Sequence, residues 1–71
     1  MSNREMLVSA LKRVNAVTSC EGKLYHDNTG WFIKWKMNCP FEESSMSAGE
    51  LLAYLHGIED AFIFINNNKE K

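Results

Sequence analysis

From Ser47 to about Ile65 the apolar residues recur at helical spacing, and they do so on two sides of the same segment. Leu51, Tyr54, Leu55, Ile58, Ala61, Phe62 and Ile65 form one broad stripe, while Leu52, Ala53, Ile63 and Phe64 fall round the back among His56, Glu59 and Asp60. A stripe of the first kind seats a helix on a core. The second set asks for cover that a chain of 71 residues has little means to supply, because a domain of this size buries only about 60% of the surface its unfolded chain exposes. The back face is therefore expected to meet another protein.

Start and stop signals place the remaining elements. Ser47-Ala48-Gly49-Glu50 is a capping box, and Met46 before it can staple to Leu51. A second box, Ser2-Asn3-Arg4-Glu5, opens a helix over about residues 2–17, with Met6, Leu7, Ala10, Leu11, Val14 and Val17 on a single stripe. Residues 23–37 read as a β-hairpin around Asp27-Asn28-Thr29-Gly30, a turn with Asp first and Gly fourth. That pattern favours a three-residue loop with Gly30 left-handed, which would set Asp27 opposite Trp31, Tyr25 opposite Ile33, Leu24 opposite Lys34 and His26 across from Phe32. Along the second strand Trp31, Ile33, Trp35 and Met37 share the inward face, and Phe32, Lys34 and Lys36 the outward one.

The order is αββα. A lone hairpin is marginal in water, so the expected architecture is a two-layer α+β domain, an antiparallel hairpin packed against two helices. Residues 61–65 also have the composition of a short buried strand, a third for the sheet, although periodicity favours helix there. One domain over residues 1–65 and a disordered polar tail over 66–71 complete the organisation.

Composition excludes more than it selects. Residues 1–39 carry six basic side chains against three acidic, and residues 40–71 two against six, so a net charge of −1 conceals two halves of opposite sign. Such halves can orient two copies or a partner. The longest apolar run, Ala61 to Ile65, is far below the ~20 residues a membrane helix needs. Asn3, Arg4 and Glu5 interrupt the start, so no secretory leader is expected. Cys20 and Cys39 bracket the hairpin and could meet, but reduced cysteines in a cytoplasmic protein are the expectation.

Catalytic and metal chemistry find no constellation. Cys20, His26, Cys39 and His56 are scattered singly, unlike the paired ligands of structural zinc. Ser44, Ser45 and Ser47 sit at a loop and cap, Cys39 has no foreseeable histidine neighbour, and the glycines are isolated. His56 reads as an i, i+4 partner of Asp60. No enzyme, no cofactor and no metal site are expected.

Binding chemistry is better represented. Gly49, Ala53, Gly57 and Ala61 repeat every four residues beside the back-face apolar set, and small residues at that spacing admit another backbone closely. A Gly in mid-helix costs roughly 1 kcal/mol relative to Ala, which asks for a compensating reason at Gly57. The chain reads as a protein-binding module, an inhibitor, adaptor or accessory factor that self-associates as a homodimer, with Leu52, Ala53, Gly57, Ile63 and Phe64 as contacts and Phe32 and Lys34 as a second patch. Both hairpin edges also look open to pairing. The alternative is a nucleic-acid binder that uses Phe32, Lys34, Lys36, Lys12 and Arg13, an aromatic platform with cations, against which stands a pI near 6.1. The size class suits a phage or mobile-element protein, though no residue points to that origin.

Overall fold

A computed structural model describes residues 2–36 and 39–69. Its elements are α1 (Asn3–Thr18), β1 (Lys23–Asp27), β2 (Gly30–Lys34) and α2 (Ala48–Lys69). The two helices pack on one face of the antiparallel hairpin, an α+β fold in the expected order. Leu7, Ala10, Leu11 and Val14 of α1 meet Leu51, Leu55 and Ile58 of α2 over Ile33 and Trp35, which together are the buried core. Residues 61–65 are helical and belong to α2. Met37, assigned above to the inward face, lies outside the described residues.

Both serine caps form, and the full capping box closes at α2. The Ser2 hydroxyl accepts from the Glu5 N–H and donates to its carboxylate. At α2 the exchange is reciprocal: the Glu50 N–H donates to Ser47 Oγ at 3.2 Å, and the Ser47 N–H donates to the Glu50 carboxylate at 3.1 Å. Orphan amides of each helix start are thereby satisfied by side chains. Downstream, α2 runs on to Lys69, past the expected end at Ile65.

The hairpin register differs from expectation by one residue. Leu24 pairs with Ile33, Tyr25 with Phe32, His26 with Trp31 and Asp27 with Gly30, around a two-residue turn, Asn28-Thr29. Two contacts hold this register. Asp27 Oδ1 accepts from both the backbone N–H and the hydroxyl of Thr29, an Asx turn that tightens the loop. On the other side Trp31 exchanges both backbone bonds with Met46, each 2.8 Å. Gly30 has φ 137°, and a Cβ there would sit 2.7 Å from the Met46 carbonyl oxygen. The slip exchanges the faces of β1. Leu24 turns toward the core, Tyr25 turns outward, and His26 stacks on Trp31 with ring centroids 4.1 Å apart.

The β2 edge is occupied, contrary to expectation, while the β1 edge is covered only just before its first residue. Along β2, Met46 takes the backbone of Trp31, and the Glu43 carboxylate accepts the Trp35 N–H at 2.9 Å. At the start of β1 the Asn15 carboxamide bonds both backbone groups of Gly22, at 2.7 and 3.1 Å. Trp35 also donates its indole N–H to the Glu42 carbonyl, and Tyr54 accepts the Glu42 N–H.

Cys20 and Cys39 are joined in a disulfide, with Cα atoms 6.1 Å apart, which corrects the expectation of free thiols. The bridge is a consequence of topology: Cys20 precedes β1 and Cys39 follows β2, so hairpin pairing brings them level. The Lys36 N–H already reaches the Cys20 carbonyl, and the 6.1 Å between the two cysteine Cα atoms lies within the range a disulfide spans.

Candidate interaction surfaces

The two faces expected of α2 resolve into three flanks. Leu51, Leu55 and Ile58 are buried. Leu52 and His56 turn toward α1, where they line a groove with Met6, Ser9 and Arg13, so Leu52 is half-buried against its own fold. His56 is directed to that groove; among the described residues it makes no bond to Asp60. Arg13 crosses the same seam, donating from Nε to both Glu59 carboxylate oxygens at 3.3 and 3.1 Å.

The third flank is open. Ala53, Gly57 and Ala61 line a shallow groove of about 440 Å³ with Phe41, Tyr54 and Phe62. A Cβ built on Gly57 meets nothing within 4 Å. Gly57 therefore makes no room for α1 or for a tryptophan of its own fold. Further along, Ile63, Phe64 and Ile65 are 42%, 67% and 49% exposed. Ile65 was expected on the core stripe. Its exposure has a geometric cause: Arg13 lies level with Glu59, and at that offset the end of α1 at Thr18 comes level with Phe64, so α2 continues past its neighbour.

The outer face of the hairpin is a second surface. Tyr25 and Phe32, paired across the strands, stack with centroids 5.5 Å apart and planes 17° apart. The Lys34 ammonium lies 5.8 Å from the Tyr25 ring centroid. Lys23 stands opposite Lys34. Lys36 is held by Glu21 at 2.6 Å; this contact lowers the Glu21 carboxyl below its ordinary value and raises the Lys36 ammonium. Lys12 and Arg13 sit on α1, across the core from this face, and Arg13 is engaged by Glu59. The five candidate nucleic-acid contacts thus split between opposite sides of the molecule. Tyr25 and Lys23 join the aromatic patch only through the observed register, so the expected register leaves them out of it.

Other titrating groups are tied to backbone. The Ser47 N–H and hydroxyl hold the Glu50 carboxyl below the ordinary glutamate range, and Thr29 does the same for Asp27. Among the described residues no group of three or more His, Cys, Asp or Glu side chains comes together to hold a metal. No helix among them is long and apolar enough to cross a membrane. Comparison of the chain with protein-family models, curated proteins and solved structures finds no match.

Proposed function

We propose that this protein acts without catalysis, by binding another protein through the C-terminal half of α2, as an inhibitor, adaptor or accessory factor that also self-associates. The observation that carries this reading is the run Ile63, Phe64 and Ile65, three large apolar side chains exposed in succession on a helix that outruns its neighbour. Single exposed apolar residues are ordinary on a protein surface, but three on one turn of a helix are more than chance exposure and support a contact site. The open approach at Gly57, flanked by Ala53 and Ala61, supports it: a partner backbone or aromatic ring can come close there.

The test is affinity capture from the native host with wild type, Phe64→Asp and Val8→Asp side by side. A partner lost with Phe64→Asp and kept with Val8→Asp supports the α2 site. A partner kept equally by both substitutions places binding elsewhere.

The bridge bears on the setting in which the protein works. Cytosolic thiols are kept reduced, so the Cys20–Cys39 bridge supports an oxidising compartment instead.

Nucleic-acid binding keeps a second place on one observation, the Tyr25–Phe32 stack with Lys34 over the ring. Single-stranded nucleic acid is gripped by such stacking platforms beside cations. Salt-sensitive retention of single-stranded DNA, abolished by Phe32→Ala with Lys34→Glu, is its signature.

A further inference from the structure

We infer that two copies of this chain join through the free edge of β1, antiparallel and centred on Tyr25, to make a continuous four-stranded sheet; this rests on the self-associating part of the reading above and not on the α2 site. The directions of the backbone groups decide which edge is free. Trp31 spends its N–H and C=O on Met46, so Trp31 and Ile33 point away from β1, and their partners His26 and Leu24 point away from β2. Gly22 has the same outward sense, and Asn15 occupies it. Among the described residues the outward groups of Leu24 and His26 have no partner, so the open edge is two residues wide.

One register uses that edge fully. Centred on Tyr25, it sets Leu24 of each copy opposite His26 of the other, and every outward N–H and C=O of the two residues is paired. A shift toward the start of the strand would require Gly22, already held by Asn15. A shift the other way would set Leu24 against Asn28 in the turn.

Charge singles out the same register. Lys23, Tyr25 and Asp27 share the outer face, so Lys23 of each copy meets Asp27 of the other, twice over. Within one chain Lys23 faces Lys34, a like-charge pair that weakens an isolated hairpin. Asp27 faces Gly30 and uses only Oδ1 on Thr29, which leaves Oδ2 for an incoming ammonium. Hydrophobic exposure agrees. Of the large apolar residues left exposed, those outside α2 are Tyr25 (42%) and Val8 (47%). Val8 lies by helical spacing on the flank of α1 that holds Arg4 over Trp31 and Asn15 on Gly22, beside the same edge. Tyr25 above the sheet and Val8 below it would both gain cover. The Tyr25–Phe32 stack would become a ladder of rings from both copies.

Charge exchange tests this. Lys23→Glu and Asp27→Lys are each made alone, then mixed, and association is followed by sedimentation equilibrium. Each alone sets like charges together and weakens self-association about tenfold. The mixture restores it. In the mixed dimer the carboxylate introduced at position 23 of one variant meets the ammonium introduced at position 27 of the other, while the unaltered Lys23 and Asp27 meet as in wild type. Asp27→Asn, which keeps the Thr29 bonds, weakens it less, and slow, concentration-dependent exchange of the Leu24 and His26 amides locates the contact. Thermal unfolding confirms the fold, and Lys23→Glu removes the repulsion from Lys34. A wild type that stays monomeric overturns the inference and leaves the α2 reading standing. So does a dimer indifferent to Lys23→Glu but dissociated by Phe64→Asp.

Discussion

α1 and α2 begin with the same capping device and end differently. In α1 the apolar positions Leu7, Ala10, Leu11 and Val14 are all buried, and Val8 is the one large apolar side chain left exposed. In α2 the apolar residues of the first turns are buried and those of the later turns are not: Leu51, Leu55 and Ile58 reach the core, Phe62 half reaches it, and Ile63, Phe64 and Ile65 stay exposed. Length is part of the difference: at the offset set by Arg13 and Glu59 only Ile65 lies past the end of α1, whereas Ile63 and Phe64 are level with its last turn and face away from the core. α1 has 16 residues and α2 has 22, so α2 has about two more turns, some 9 Å, to set against something else. A small domain can satisfy a helix only as far as its neighbours extend.

Substitution should divide α2 at that boundary. Leu55→Ala empties a fully buried position and should cost about 2–5 kcal/mol in urea unfolding, whereas Phe64→Ala should leave stability nearly unchanged. A comparable loss at Phe64 would mean that the late turns are packed after all, and the contrast would disappear. Cys20→Ser comes next: opening a ring that spans 19 residues in sequence should cost about 3 kcal/mol, and more of that loss should fall on the hairpin than on α2, as read by amide exchange.

Gly57→Ala runs the other way. Its Cβ meets nothing within the chain, so thermal unfolding should show a gain of about 1 kcal/mol; a stabilised variant that no longer captures its partner would identify Gly57 as a point of close approach. The smallest effect concerns acid. Glu50, Asp27 and Glu21 have carboxyls lowered by their bonds to Ser47, Thr29 and Lys36. A lowered folded value gives stability present above the ordinary carboxylate range, near pH 4–4.5, and lost as pH falls through the folded values. A pH titration of the unfolding midpoint should decline there, and Glu50→Gln should flatten part of the decline.

How much of this is legible in the residues depends on whether the cause is local. Both helix starts are, because capping boxes are written within four residues. The inward face of β2 is also legible, since Ile33 and Trp35 alternate with Lys34 and Lys36. The register is not. Asp27-Asn28-Thr29-Gly30 is compatible with either loop length, and either Leu24 or Tyr25 could face the core; the choice is held in part by Met46, fifteen residues beyond Trp31. The disulfide follows from topology, which the spacing of two lone cysteines does not reveal. The back face of α2 reads as one surface because a helical wheel has no length. It divides between the α1 seam at Leu52 and the open flank that runs from Ala53 and Gly57 toward Phe64, and where α1 docks on the helix determines the line.

The bridge between Cys20 and Cys39 encloses the whole hairpin, and the exposed turn at Asn28 and Thr29 is the far point of that ring. A protease that severs the backbone there releases nothing. Both pieces stay tethered, and the nicked molecule migrates as a single band until a reductant is added.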